Sequence, residues 1–166
     1  MLLGSDTGRG TIVTIYDATR VEEFERAFRE LKSRFDEGCA RAAYDLGLLH
    51  DSGRRFAPAV IEAHYPWDDD EALRYYQIAF ERFDRDAKSG DAGAICVLAT
   101  FYQTGLIMEQ DTEKAISLLH EAFDKRARFA ALDLHCFYSN PVSRYYDQEK
   151  ALFFKAVLEE IREAAE

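Results

Sequence analysis

The sequence predicts an all-α fold in which helical hairpins stack into an α-α superhelix. Two short motifs alternate along the chain, and between the last two units both recur after 36 residues, from Leu98 to Leu134 and from Ala115 to Ala151. A period in the mid-thirties is typical of a helix–turn–helix unit that buries its apolar face only by stacking on its neighbours. The length of 166 residues and the apolar content of 48% fit one folded domain.

The first 38 residues are predicted to lie outside the repeats. Residues 1–16, with a glycine-rich stretch and then a β-branched run, are expected to form a flexible or extended leader. Residues 17–38 predict an N-terminal capping helix, because apolar side chains recur there at helical spacing and charged side chains occupy the opposite face. The apolar stripe consists of Val21, Phe24, Ala27, Phe28, Leu31 and Phe35.

The first motif marks the first helix of each hairpin. It reads AYDLGLLHDSG at 43–53, ICVLATFYQTG at 95–105 and ALDLHCFYSNP at 131–141. Each copy has a Leu before a usually small residue, then an aromatic residue or His, and finally a Gly or Pro that favours the end of a helix. The small residue is expected to let the two helices of a hairpin approach closely.

The second motif marks the second helix of each hairpin. It reads DEALRYYQIAF at 70–80, EKAISLLHEAF at 113–123 and EKALFFKAVLE at 149–159. Acidic residues precede or begin each copy, at 68–71, 111–113 and 147–149. Carboxylates at a helix N-terminus accept hydrogen bonds from unpaired amides and favour the positive end of the helix dipole, so we expect these residues to cap the helices.

The two motifs together resemble the Sel1-like repeat family, which is related to the tetratricopeptide repeats. Residues 92–122, AGAICVLATFYQTGLIMEQDTEKAISLLHEA, match the family pattern best. The first unit carries about 16 extra residues, and the third departs from the pattern at His135 and Pro141. The resemblance implies a right-handed solenoid of about three units over 39–166, with repeats near 39–90, 91–126 and 127–164, forming a single domain with the capping helix.

The family resemblance also implies where a partner would bind. In this architecture the concave face is lined by first-helix residues five and two positions before the motif Leu and two and five positions after it. Some of the apolar members are alternatively expected to pack between neighbouring units. The positions are Arg41, Tyr44, Leu48 and Asp51 in the first unit, Gly93, Cys96, Thr100 and Gln103 in the second, and Phe129, Leu132, Cys136 and Ser139 in the third.

The insertion at 54–67 is a second candidate contact surface. It contains two prolines, the only Trp of the chain, Trp67, and a neighbouring Tyr65. Trp, Tyr and Arg dominate the energetics of many interfaces, and long loops on a rigid scaffold often carry function. The alternative is that Tyr65 and Trp67 fold back and close the first hairpin.

The sequence contains no catalytic or metal-binding motif. Its three cysteines, Cys39, Cys96 and Cys136, are widely spaced without a CxxC pair, which argues against a disulfide framework and a four-thiolate zinc site. The histidines form neither HExxH nor HxH, and the acidic run at 68–71 lacks the spacing of a calcium loop. We therefore expect a protein that is not an enzyme and that carries no cofactor or metal.

The net charge of −10 argues against nucleic acid and anionic membranes as partners and favours a basic protein. We expect a cytoplasmic location, because the sequence shows no apolar run long enough for a signal peptide or a membrane span. The predicted function is a non-catalytic module that binds a protein or peptide, and toxin neutralisation or complex assembly both fit. The alternatives are a small metal-dependent hydrolase that uses the acidic clusters, and a self-assembling protein, such as a homodimer, that stacks through an exposed repeat end.

Overall fold

The computed structural model describes residues 21–53, 67–127 and 129–164. The chain is helical in these ranges, which contain no strand and confirm the predicted all-α class. The predicted leader, the start of the predicted capping helix and most of the insertion, including Tyr65, lie outside the described residues. The helices are α1 (Val21–Asp36), α2 (Ala40–His50), α3 (Asp69–Lys88), α4 (Ala92–Thr104), α5 (Thr112–Asp124), α6 (Ala130–Ser139) and α7 (Gln148–Glu163).

The chain divides into two compact units, one ending at Arg82 and the other running from Phe83 to Glu166. In the first unit, α1 buries the apolar stripe that the sequence predicts, with Phe24, Ala27 and Leu31 in the core. Leu31 is fully buried together with Leu46 and Leu49 of α2. The guanidinium of Arg82 on α3 donates to the carbonyl oxygens of Phe35 at 2.9 Å and Cys39 at 3.2 Å, which holds the turn between α1 and α2.

The second unit has a core formed by small and aromatic residues of α4 to α7. Ile95 and Ala99 of α4 share this core with residues of the other helices. Tyr138 stacks on Phe154 with ring centroids 5.9 Å apart, and Phe123 meets the same ring edge to face at 5.2 Å. Small side chains let helices pack closely while the aromatic rings fill the remaining space. The core residues contributed by α5 to α7 include Ala115, Leu119, Ala122, Ala130, Ala131, Leu134, Ala151 and Phe154.

One backbone hydrogen bond recurs in all three hairpins. The amide of the Asp before the second helix donates to the carbonyl oxygen of the residue four positions after the motif Leu in the first helix. The pairs are Asp68 to His50 at 3.0 Å, Asp111 to Tyr102 at 2.8 Å and Asp147 to Tyr138 at 3.0 Å. The repeated motifs therefore correspond to a repeated backbone geometry.

The same aspartates cap the second helices, as the sequence predicts. The side chain of Asp68 accepts from the amide of Glu71 at 3.0 Å. Asp111 accepts from the amide of Lys114 at 2.9 Å, and Asp147 from that of Lys150 at 3.1 Å. These bonds satisfy amides that have no partner within the helix.

Candidate functional site

Helix α6 exposes large apolar side chains along one face. Phe129, directly before the helix, is 40% exposed and Leu132 is 45% exposed. Cys136 and Ser139 follow on the same face and are also exposed. The opposite face contributes Ala130, Ala131, Leu134 and Tyr138 to the core of the second unit.

A cleft of about 330 Å³ lies beside this exposed face. Three stretches of the chain besides α6 contribute to its lining: the end of α4, the connection into α5, and the connection from α6 to α7. The lining residues are Gln103, Gln110, Thr112, Asp133, Cys136, Phe137, Asn140, Ser143 and Tyr145. Gln103 and Cys136, predicted on separate repeats, are thus brought together by the fold.

Asp133 is the one charged residue in the lining of this cleft, all of which the structure describes. Its side chain is half-buried, and burial raises the pKa of its carboxyl above the ordinary value. Burial, followed by the negative charges of Asp133 and Asp91, also raises the pKa of the Cys96 thiol to about 12. The cleft therefore contains one carboxyl group, and the raised pKa of Cys96 disfavours its thiolate form at neutral pH.

The predicted positions of the second unit have different surroundings. Cys96 is buried, and Thr100 is half-buried, with its hydroxyl donating to the Cys96 carbonyl oxygen at 3.3 Å. Gly93 and Gln103 are exposed. Among these four residues, Gln103 alone lines the cleft.

The predicted positions of the first unit make internal contacts. The Arg41 Nε donates to Asp45 Oδ1 at 2.9 Å, and Asp45 is fully buried. Tyr44 is only 7% exposed, and Asp51 accepts from the Tyr76 hydroxyl at 2.9 Å. Arg41, Tyr44 and Asp51 therefore each contact other residues of the first unit.

Leu48, also a predicted contact, is half-buried. Trp67 is half-buried in the connection that leads into α3, whereas its predicted neighbour Tyr65 lies outside the described residues.

Two carboxylates with unusual surroundings, Asp45 and Asp133, are not among the predicted site residues. Each had a possible signal in its helix. Asp45 follows Arg41 by four positions and is flanked by apolar residues, a spacing that predicts an ion pair on a buried face. Asp133 lies one position after Leu132, which the sequence analysis places on the partner-binding face.

A second cavity, of about 380 Å³, borders the connection from α6 to α7. Its charged residues pair with one another: Arg144 with Glu113 at 3.3 Å, and Lys150 with Asp147 at 3.2 Å. These charges already neutralise one another within the protein. This cavity therefore attracts a charged ligand less strongly than the cleft at Asp133 does.

Two further properties bear on the type of site. Within 21–53, 67–127 and 129–164, no three His, Cys, Asp or Glu residues gather in an arrangement that could hold a metal ion. In the same ranges, no helix has the length and apolar character needed to cross a membrane.

Comparison with solved structures identifies the fold. The crystal structure of a Sel1 repeat protein from Oxalobacter formigenes matches 92% of this chain with a TM-score of 0.52 at 19% sequence identity. The chain has a Sel1-like repeat fold. It covers 56% of the length of the Oxalobacter protein. No protein-family model and no curated protein matches the sequence.

The Sel1-like repeat fold confirms the resemblance derived from the two motifs. In this fold α6 is the first helix of the third hairpin, so its exposed face has a defined position within the repeat. The residues Phe129, Leu132, Cys136 and Ser139 occupy the positions that the resemblance assigns to the concave face.

Proposed function

We propose that this protein is a non-catalytic interaction module that binds a basic protein or peptide on the exposed face of α6 and in the adjoining cleft. The observation that carries the proposal is the exposure of Phe129 and Leu132 together with Cys136 on one face of that helix. The Sel1-like repeat fold supports it, because helical-repeat folds present extended concave surfaces for binding.

The exposed apolar face favours a protein ligand. Single exposed apolar side chains are ordinary on protein surfaces, but a contiguous patch bordered by polar groups is typical of an interaction site. Here the patch formed by Phe129, Leu132 and Cys136 lies beside the polar cleft at Asp133. Burial of the patch by a partner would supply affinity, and the cleft would supply specificity.

The charge of the protein favours a basic partner. The net charge is −10, and Asp133 contributes a carboxylate at the proposed surface. Opposite charge on the partner accelerates association and excludes acidic competitors.

The other predicted contact residues fall into two groups, those at or near the cleft and those of the first unit and the insertion. Gln103 lies in the cleft, and Thr100 lies one helical turn before it on α4. The contribution of residues in the first unit and insertion stays a prediction. These residues are Arg41, Tyr44, Leu48, Asp51, Tyr65 and Trp67.

The test is selection of ligands from a random peptide library, followed by dissociation constants for the wild type and two variants. Leu132→Asp places a charge in the apolar patch, whereas Leu73→Asp changes a Leu of similar exposure, 42%, on α3. We expect selected peptides to be rich in basic residues and to lose at least about tenfold in affinity with Leu132→Asp only. Equal binding by both variants would contradict the proposal, provided circular dichroism shows that both are folded.

A further inference from the structure

The cleft beside α6 has the size of a site for one side chain. Its volume of about 330 Å³ is near the lower end of the roughly 300–1,000 Å³ of small-molecule sites. Its lining comes from three helices, α4, α5 and α6, and from two connections, so groups on several sides face one small space.

The carboxylate of Asp133 has no bonded partner among the residues that the structure describes. Within the described residues its side chain forms neither an ion pair nor a hydrogen bond, although it is half-buried and burial raises the pKa of the carboxyl. A partly buried charge without a partner costs free energy, which a cationic ligand would recover. Asp45 illustrates the contrast, because its fully buried carboxylate accepts from the Arg41 Nε at 2.9 Å.

The neutral groups of the cleft are side-chain amides, hydroxyls and aromatic rings. The side-chain amides of Gln103 and Gln110 make no hydrogen bond with any described residue, and each presents an acceptor oxygen. Phe137 and Tyr145 contribute rings to the same lining. The ring of Tyr145 already carries a guanidinium, that of Arg144, whose Cζ lies 4.7 Å from the ring centroid.

We propose that the cleft binds one arginine side chain of the basic partner, with the Asp133 carboxylate accepting hydrogen bonds from its guanidinium. The inference rests on the proposed function and names the group that the partner inserts. A guanidinium carries five N–H donors and a flat face, so it can use the carboxylate, the amide oxygens and a ring together. A lysine ammonium is a compact charge with three donors and would leave more of these acceptors without a donor.

The chemistry of the lining argues against other ligand classes. An anion would meet the negative charge of Asp133, since no lysine or arginine lines the cleft. A neutral side chain would leave that carboxylate half-buried and unpaired. A divalent cation would find only one carboxylate, whereas such ions are normally held by several oxygen ligands.

The test is a ¹H–¹⁵N NMR titration of the full chain with N-acetyl-argininamide. N-acetyl-citrullinamide is a neutral analogue of nearly the same shape, and N-acetyl-lysinamide has a cation of different geometry. The protein variants are Asp133→Asn, which removes the charge with little change in shape, and Asp124→Asn, which makes the same change at an exposed position of α5.

We expect millimolar-range binding, on the order expected for a single side chain. The largest changes in amide chemical shift should occur at Gln103, Gln110, Asp133 and Asn140. Affinity should fall at least about tenfold for the citrulline analogue and for Asp133→Asn. Asp124→Asn should bind as the wild type does, and the lysine compound should bind more weakly than the arginine compound.

Two results would overturn the inference: equal binding of the citrulline analogue, or arginine shifts that lie away from the cleft. Absence of arginine binding would also overturn it, while leaving the proposed function intact if Leu132→Asp still abolishes binding of the selected peptides. If arginine binds in the cleft but no selected peptide depends on α6, the proposed interaction surface fails instead.

Discussion

Gly47 on α2 lies so close to the ring of Tyr76 on α3 that no side chain fits between them. A Cβ added to Gly47 would lie 2.5 Å from Cδ1 of Tyr76 and 2.6 Å from its Cε1. The ring is itself fixed, because its hydroxyl donates to Asp51 Oδ2 at 2.9 Å and its face meets the ring of Tyr44 at 5.6 Å. The glycine of the first repeat motif therefore sets the separation of the two helices in this hairpin.

We expect Gly47→Ala to destabilise the protein despite the better helix propensity of alanine. Alanine would gain about 1 kcal/mol in helix propensity, whereas overpacking typically costs about 1–3 kcal/mol and the fixed ring leaves little room to relax. The expected net loss is up to about 2 kcal/mol in the free energy of unfolding, measured by urea denaturation. Gly93→Ala is the control, because a Cβ there would meet only Asp91 Oδ1, at 3.1 Å, and that side chain is exposed; this variant should cost less than Gly47→Ala.

A Gly47→Ala variant as stable as the wild type would show that Tyr76 moves easily. The double variant Gly47→Ala with Tyr76→Leu separates the causes, since removal of the ring should abolish the penalty of the added methyl group.

Asp45 should make the stability of the protein depend on pH. Burial raises the pKa of its carboxyl to about 6, against the lowering effect of the Arg41 charge and hydrogen bond. Because the folded pKa exceeds the unfolded value of 3.8, the contribution to stability is fully present below pH 3.8 and is lost as pH rises through about 6. The difference corresponds to roughly 3 kcal/mol.

The measurement is the free energy of unfolding at several pH values between 4 and 7. We expect Asp45→Asn to flatten the decline over this window relative to the wild type. Asp124→Asn makes the same change at an exposed carboxylate, and the free energy of unfolding of this variant should decline with pH as it does in the wild type. An unchanged slope in Asp45→Asn would mean that other groups cause the pH dependence.

Asp111 should stabilise α5 through its capping hydrogen bond. Its side chain accepts from the amide of Lys114 at 2.9 Å, so Asp111→Ala leaves an amide of the first turn without its partner. We expect a loss of about 1 kcal/mol in the free energy of unfolding. Asp111→Asn keeps an acceptor oxygen and should lose less, and an equal loss in both variants would assign the effect to charge rather than to the hydrogen bond.

Helix α7 exposes two large apolar side chains, Leu152 at 58% and Phe153 at 54%. We expect the protein to self-associate through this face at high concentration, because burial of exposed apolar area is favourable. Sedimentation equilibrium at about tenfold different concentrations measures this, and Leu152→Asp should shift the population towards monomer. A strictly monomeric wild type at both concentrations would contradict the prediction.

The sequence predicts the helices well because their signals are local. The stripe from Phe24 to Leu31 at helical spacing predicts α1, and Asp111 before an Ala-rich run predicts the start of α5; both occur in the structure. The ends of some helices are predicted correctly and those of others are not. Gly105, with a φ of 68°, ends α4 as expected, whereas α2 and α6 have their C-caps at Asp51 and Asn140, before the predicted Gly53 and Pro141.

The candidate site is only partly predictable, because the family positions identify a helix face but not what each side chain meets there. Tyr44 and Leu132 occupy equivalent positions two residues before the motif Leu, yet Tyr44 is buried and Leu132 is 45% exposed. The difference arises from packing: the Tyr44 ring meets Tyr76 on α3, a contact that depends on residues 32 positions away in the sequence.

The sequence by itself determined the repeated architecture. Its signals are hydrophobic periodicity, helix caps and small residues at fixed spacing, and these extend over one or two helical turns or recur with the repeat. Tertiary structure alone decided how deeply two carboxylates are buried and which groups surround them. Asp45 and Asp133 both lie on first helices, but Asp45 is buried against Arg41 whereas Asp133 borders a cleft of neutral groups. The pairing of Arg41 with Asp45 follows from their spacing on one helix, but burial depends on which distant residues the fold brings together, and local spacing does not contain that information.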